Sequence, residues 1–557
     1  MTSGNVGLHP PKEWRYWIPR ITVALLLPLL VFAGTEIALR LSNIGYPTEM
    51  LTSCTIDGVP GSCYNVFFLA QYFPPGIIKL PVAYGIPVEK PRNTFRIFVL
   101  GESAAMGDPD PAFAFSRYLE LLLQQRFPGV DFQVVNTASV AINSHVLLPI
   151  AKSLSTQKTD LFIIYSGNNE VVGPYGPGTT LTGTESSLAF ARTDIFVRST
   201  RIGQFLTRAA APRKQWTGME MFLDNQIPAD TPALQQAYRN YSTNLRDTIR
   251  VAGKAGAGVL VSTVVTNLAD CAPFGSQHRA GISVRDLQSW NKTVQLGQAA
   301  EAAGNLSEAL AQYRLALGID DQYAELEFRI ARCLTLLTRH AEAKPHYFRA
   351  RDLDTLRFRA DSQINEINRT ANRFSYPAQV VDSEAVLSAA SPRGVVGDEM
   401  VYEHVHLTPH GNYLLAMAML DKVTAQVAAR LGLAPSTVAA VLTEAECGRM
   451  LALTGFDRTR ITSEMAQRIQ AAPFDKQLNH GEQVLYWRTL TEASPENPQD
   501  TITQYQWAIA QRPKDRPLHF NFGAFLLDIN QQAAYQEMRL SRPFDGFPVT
   551  SPDGTLQ

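Results

Sequence analysis

Four short apolar runs, each followed by a helical stretch, occupy the middle of this chain and restrict it to few folds. Residues 95–100 form the first run and end at Gly101; a helical stretch with an apolar face covers 115–127 and is closed by Gly129. Residues 132–135, 161–165 and 259–265 repeat the pattern with helical segments between them. Continuous apolar runs alternating with helices predict a parallel sheet covered on both faces, a three-layer α/β domain.

At Leu296 the pattern changes. Glu308, Ala309, Tyr313 and Ala316 recur as Glu342, Ala343, Tyr347 and Ala350, a period of 34 residues (308 to 342). With small and aromatic residues at those positions and Gly304 in the first turn, the period resembles a tetratricopeptide helix pair; an unrelated helical hairpin is the alternative. After it, a helix at 361–374, a strand-like 378–382 and a helix at 413–431 return to α/β material. The repeat therefore reads as an insertion into a discontinuous domain. From Gly432 the chain is helical again, with Tyr505 and Ala508 before Pro513 and the run 520–527 fitting either a further repeat or a helical bundle capping the α/β domain.

The first forty residues carry the compartment signal. No charge falls between Ile21 and Thr35, Glu36 interrupts, and apolar residues resume at Ile37, Ala38 and Leu39. Trp14, Tyr16 and Trp17 suit an interfacial belt, and Lys12, Arg15 and Arg20 place the N-terminus on the cytoplasmic side. A cleaved signal peptide is the rival, and a buried helix of a soluble domain a third option; no small-x-small site precedes Arg40, so an uncleaved single-pass anchor is expected. Cys54 and Cys63 flank a turn-rich loop, 57–61, that a disulfide closes in an oxidising compartment. Cys271, Cys333 and Cys447 lack metal-ligand spacing and read as buried small residues.

At 557 residues, 45% hydrophobic, the chain needs two or three folded domains. The expected division is a cytoplasmic N-terminus at 1–16, an anchor at 17–40, a membrane-proximal segment at 41–91, an α/β domain at 92–285 and 357–432, a helical insertion at 286–356 and a C-terminal helical region at 433–557. Lys+Arg 50 against Asp+Glu 51, net charge -1, gives no sign of a nucleic-acid partner.

Four strings follow or adjoin segments that end at the rim of the sheet, where functional groups of open α/β sheets collect. They are Gly101-Glu102-Ser103, Asn136 to Ser144, Gly167-Asn168-Asn169-Glu170 and Glu403-His404-Val405-His406. Each alone is ordinary: Ser103 is a strand-turn residue, Asn169 a turn residue, His406 a lone histidine before Thr408-Pro409. Together they supply a serine, a histidine, a carboxylate and an amide donor, which suffice for acyl transfer to or from an oxygen.

In that order the strings resemble the conserved blocks of the SGNH/GDSL family of serine esterases and acyltransferases, over about 92–285 and 357–432. The resemblance implies a flavodoxin-like domain in which Ser103 is the nucleophile, His406 the general base and Glu403 the group that orients it. It implies an oxyanion hole from the N–H groups of Ser103 and Ala141 and the side chain of Asn169. Three departures stand out. Ala141 replaces a glycine, Glu102 and Glu170 replace aspartates, and Glu403 replaces the aspartate of an Asp-x-x-His block. Asp398 is close enough to substitute for Glu403, and His404 and His410 rival His406. The implied activity is ester hydrolysis, with O-acetyl groups of a glycan as substrate by family analogy. The alternatives are an O-acyltransferase of cell-surface polysaccharide and a catalytically weak scaffold that binds protein partners through its repeats. No cofactor or metal is expected, and the catalytic region is expected outside the cytoplasm, periplasmic or extracellular.

Overall fold

The structure, a computed structural model, describes residues 12–74, 76–77, 82–181, 187–210, 216–435, 441–491 and 496–547. Most of the expected cytoplasmic segment lies outside them, as do the side chains of Lys12, Trp14 and Arg15. Helix α1 (Lys12–Leu41) runs through Pro19 and Pro28. Its stretch Tyr16–Leu41 is long and apolar enough to cross a membrane, with mean hydropathy 2.1 over its most apolar 18 residues, none of which is fully buried against the rest of the chain.

A small antiparallel sheet follows, β1 (Leu51–Ile56), β2 (Val59–Tyr64) and β3 (Gly85–Pro87), with a disulfide joining Cys54 to Cys63. The loop expected at 57–61 is shorter than its composition suggested. Asp57 and Gly58 alone make the turn, at φ 50° and 78°, and Val59 to Gly61 belong to the strand. Two consecutive positive φ values match the right-handed twist of a two-residue hairpin, which is why Asp-Gly serves there.

The main sheet has five parallel strands: β4 (Thr94–Gly101), β5 (Asp131–Asn136), β6 (Leu161–Tyr165), β7 (Gly258–Ser262) and β8 (Gln379–Val381), in the order β5-β4-β6-β7-β8. Every residue of β4 is buried, as a central strand covered on both faces requires. Short helix α2 (Ser103–Met106) leaves β4, and α3 (Phe115–Arg126) returns the chain to the edge strand β5; α4 (Ser144–Leu154) carries it back past β4 to β6. Right-handed crossovers in opposite directions put α3 and α4 on opposite faces. Helices α5 (Leu188–Ser199), α6 (Arg201–Ala210) and α7 (Pro232–Lys254) precede β7, and α7 packs on α4.

β7 stops at Ser262, short of the expected 265. Asn365 Oδ1 accepts from the Val264 N–H at 2.8 Å and the Tyr165 hydroxyl from the Val265 N–H at 3.0 Å, so side chains replace the ladder there.

Between β7 and β8 in the chain lie α8 (Val284–Ala302), α9 (Leu306–Leu317), α10 (Ala324–Leu336) and α11 (His340–Leu353), each packed on the next. Ala309, Tyr313, Ala316, Ala343, Tyr347 and Ala350 are all buried in one apolar cluster. The 34-residue period extends to the backbone: Gly304 (φ 76°) and Thr338 (φ 59°), 34 apart, both turn left-handed after their helices. Gly297 sits where any side chain would strike the Tyr313 ring, so α8 and α9 approach closely.

Helices α12 (Ser362–Arg369), α13 (Ser383–Ala390) and α14 (Pro409–Leu431) return to the sheet, α14 against α3. The helix expected at 361–374 is interrupted after Arg369 and ends in a single 3₁₀ turn, Ala371–Arg373. The remaining helices are α15 (Glu444–Met450), α16 (Gly455–Arg468), α17 (His480–Thr491), α18 (Pro498–Gln511), α19 (Arg516–Asp528) and α20 (Ala534–Leu540). They lie against the sheet side: Asp515 pairs with Arg117 of α3, Arg460 with Asp110, and Asn521 donates to Asp110 at 2.9 Å. Tyr505, Ala508, Leu518, Phe522 and Phe525 make the separate core of α18 and α19.

Candidate active site

Ser103 opens α2 directly after the central strand, and His406 lies in a tight turn just before α14. That turn is set by the bridge between Val401 and Leu407 and by the Tyr402 N–H donating to the His406 carbonyl at 2.8 Å. It brings His406 Nε2 to 2.8 Å from Ser103 Oγ across 303 positions of sequence. His406 Nδ1 is hydrogen bonded to Glu403 Oε1. The other carboxylate oxygen of Glu403 accepts from the N–H groups of His404, Val405 (3.0 Å) and His406 (3.4 Å). Burial raises the Glu403 carboxyl, but His406, His404 and these hydrogen bonds outweigh it and hold the group well below the ordinary carboxylate range. The result is a buried anion behind the imidazole, with the serine hydroxyl in front.

The three other loops are tied to one another by hydrogen bonds. Beyond the β5 ladder the chain continues beside β4, with the Ser139 N–H donating to the Gly101 carbonyl at 3.3 Å. Glu102 accepts from Ser166 Oγ (3.0 Å), Gly167 N–H (3.0 Å) and Asn168 N–H (2.8 Å), joining the serine turn to the loop after β6. Asn169 Nδ2 donates to the Ile142 carbonyl at 3.1 Å, beside Ala141. Glu170 accepts from Ser144 N–H (2.8 Å) and Ser144 Oγ (2.7 Å). Ser103, Ala141 and Asn169 are all half-buried, so each keeps some contact with solvent at this corner. Among the described residues the N–H groups of Ser103 and Ala141 donate to no acceptor.

Ala141 adopts φ 60°, the left-handed region that costs an L-residue about 1–2 kcal/mol and that glycine enters freely. Ala141→Gly is therefore expected to raise stability by roughly 0.5–1 kcal/mol after the extra chain entropy of glycine is subtracted, a shift readable in the denaturant midpoint.

Glu102 and Glu170 act as buried loop ties. Burial pushes Glu102 up to about 7, against the hydrogen bonds from Gly167, Ser166 and Asn168. Burial and the Glu102 charge push Glu170 up to about 8 from its ordinary 4.5. A raised native value means that the folded chain keeps a proton the unfolded chain has lost. The corresponding stability is full below pH 4.5 and is lost as pH rises through about 8. In Glu170→Gln the amide keeps both contacts, because the Ser144 hydroxyl accepts as well as donates. Its thermal midpoint is expected to fall less than that of the unaltered protein between pH 5 and pH 8.

None of the rivals takes the place of Glu403 or His406 beside Ser103; His404 Nδ1 lies 2.9 Å from Glu403 Oε2, whereas His406 Nδ1 meets Oε1. Asp398 Oδ1 accepts from Asn267 Nδ2 at 2.7 Å and makes no contact with His406. His404 is enclosed by Phe274, Phe358 and Phe474, with ring centroids 5.7, 6.2 and 5.7 Å away, and burial lowers its basicity. His410 pairs with Glu444 at 2.7 Å on the surface.

Two groups at the site carry no motif of their own. Asp108 Oδ2 lies 3.3 Å from His406 Nε2, on the same side as Ser103. Arg468, at the end of α16, is ion-paired with Asp108 and reaches Glu403 Oε1 at 3.2 Å and His406 Nδ1 at 3.1 Å. Burial raises the Asp108 carboxyl, yet His406 and Arg468 hold it below the ordinary range. A hint for Asp108 was present in the Asp-Pro-Asp-Pro run five residues after Ser103. Nothing local singles out Arg468.

Glu403, His404 and His406 are grouped closely enough to hold a metal ion, but both His406 nitrogens and the Glu403 carboxylate already serve the hydrogen-bonded chain.

No protein-family model matches the chain, and no curated protein matches it. Among solved structures, the lipase/acylhydrolase from Enterococcus faecalis is similar over 62% of this chain and 100% of its own, at 11% identity and a TM-score of 0.26. A likeness that slight supports no argument about fold family or activity, so the reading of the site rests on its own geometry.

Proposed function

We propose that this protein is a membrane-anchored serine hydrolase of the SGNH type that cleaves esters through an acyl-serine intermediate. The observation that carries the reading is the continuous chain from Ser103 Oγ to His406 Nε2 at 2.8 Å and from His406 Nδ1 to the buried Glu403 anion. His406 takes the Ser103 proton as the oxygen attacks the ester carbonyl, and Glu403 stabilises the imidazolium that forms. The N–H groups of Ser103 and Ala141 and the Asn169 amide receive the oxyanion. Collapse expels the alcohol, which takes the proton from His406, and leaves an acyl-serine. A water molecule activated by His406 then releases the acid.

The strand order, second-first-third-fourth-fifth in chain sequence, is that of flavodoxin-like folds and supports 92–285 with 357–432 as one domain. The exposed apolar helix α1 supports a single-pass membrane anchor, and the Cys54–Cys63 disulfide an oxidising, extracytoplasmic setting. The helix pairs α8–α11, with their 34-residue period, suit a tetratricopeptide-like surface for a protein partner. The O-acetyl glycan substrate rests on the family resemblance.

Transfer to a sugar hydroxyl is the second reading, and Asp108 favours it. A carboxylate 3.3 Å from the His406 nitrogen that activates the acceptor can take a hydrogen bond from a neighbouring hydroxyl of a polyol, which water lacks. A fluorophosphonate probe tests the common premise. It is expected to label the unaltered protein and not Ser103→Ala, and absence of labelling in both overturns the enzyme reading. Acylated sugar in place of free acid, when a sugar acceptor is supplied, assigns transfer.

A further inference from the structure

Helix α6 is inside out. Its inward residues are Gly203 and Gln204, the latter exchanging hydrogen bonds with the backbone of Tyr46, at 3.0 Å to the N–H and 3.0 Å to the carbonyl. Its outward residues are Phe205, 69% exposed, and Leu206, 61% exposed. Helix α5, packed against it, exposes Phe196 to 67% and Val197 to 40%. A helix that turns its polar side to the protein and its aromatic side away has its apolar partner outside the chain.

The identity of that partner follows from where α6 is attached. Glu36, the residue that interrupts the apolar run of α1, accepts hydrogen bonds from the N–H groups of Arg201 (3.0 Å) and Ile202 (3.1 Å), the first two residues of α6. It also accepts from Arg40 at 2.7 Å. The carboxylate therefore caps α6 with the end of α1. If the stretch from Trp17 to Thr35, about 28 Å of helix with Arg20 turned back over the Tyr16 ring toward the cytoplasmic interface, fills the hydrocarbon layer, Glu36 lies at its edge. Phe205 is four residues beyond Arg201, about 6 Å along the helix. The polar layer of each leaflet is roughly 5–8 Å deep, so Phe205 and Leu206 stay within or beside it whichever way α6 points.

We propose that α5 and α6 lie on the bilayer, with Phe196, Phe205 and Leu206 inserted at the boundary between headgroups and acyl chains of the leaflet from which α1 emerges. The partner is the lipid surface itself, as amphipathic interfacial helices use it. The proposal rests on the reading of α1 as a membrane span. Glu36 then is the joint that holds the body of the protein at a set attitude to the membrane.

The test uses the full chain in phosphatidylcholine–phosphatidylglycerol vesicles. An environment-sensitive fluorophore is attached to one cysteine at a time in Leu26→Cys, Phe205→Cys and, as a distant control, Leu315→Cys on α9; the three native free cysteines are buried. Quenching by lipids carrying a nitroxide in the chain reports α1, and by lipids carrying it near the headgroup reports α6. The expected result is deep quenching for Leu26→Cys, a blue shift with shallow quenching for Phe205→Cys, and neither for Leu315→Cys. Quenching of Leu26→Cys without quenching of Phe205→Cys overturns the proposal and leaves the anchor standing, and a blue shift at Phe205→Cys without quenching assigns the face to a protein instead. Loss of quenching at Leu26→Cys overturns the anchor and, with it, the placement of α5 and α6 at the leaflet from which α1 emerges.

Discussion

Ser103→Ala is expected to lower turnover of a small chromogenic acetyl ester by about 10⁴–10⁶-fold, leaving only the rate that bound substrate and oxyanion donors supply without a nucleophile. His406→Ala is expected to match it. The double variant should be no worse than either, because Ser103 Oγ and His406 Nε2, 2.8 Å apart, act as one unit whose loss is counted once. Steady-state kinetics on the three variants check this. Independent, additive losses would mean that the pair is not the reacting centre, and unchanged turnover in Ser103→Ala would remove the acyl-serine step altogether. Both side chains lie in turns fixed mainly by backbone hydrogen bonds, so neither truncation is expected to unfold the protein.

The second large effect is expected at Glu403→Gln, about 10²–10⁴-fold in kcat. The reason lies in the three N–H groups of His404, Val405 and His406. They admit only an acceptor, so the amide must turn its oxygen toward them and its NH₂ toward His406. A donor facing Nδ1 forces the proton onto Nε2, the atom that must receive the Ser103 proton. The variant keeps the shape of the site and carries the wrong tautomer. Asp398→Asn, by contrast, is expected to change kcat little, since Asp398 faces Asn267. A large loss in Asp398→Asn with near-normal Glu403→Gln would reverse the assignment.

The sheet was legible because parallel strands buried on both faces must be apolar along their whole length, and residues 95–100 and 161–165 are. The rim was legible for a related reason: strand ends in such a sheet are the ends of those runs, so Ser103 and Asn169 announce their positions. Between Glu403 and Asp398, spacing alone left the choice open. The structure separates them because Glu403 accepts the N–H groups of its own turn, a local device whose outcome depends on how residues 401–407 fold back. Asp57 and Gly58 show the opposite error, where a Gly- and Pro-rich composition suggested a loop and the ladder to β1 made most of it strand. Arg468 was invisible, since its contacts with Asp108, Glu403 and His406 arise only when the end of α16 is brought beside the loops that carry those residues.

That last contact makes the Ser103–His406 pair dependent on chain made long after it. Asp108 and Arg468 are 360 positions apart. A ribosome delivers the serine, the Asp108 carboxylate beside it and then the histidine well before the guanidinium that pairs with that carboxylate. An excised fragment ending before α16 would hold Ser103 and His406 next to an uncompensated Asp108, a second acceptor competing for the imidazole. Dissection of this protein into a minimal α/β domain and a removable helical appendage would therefore cut through the charge balance of the proposed site.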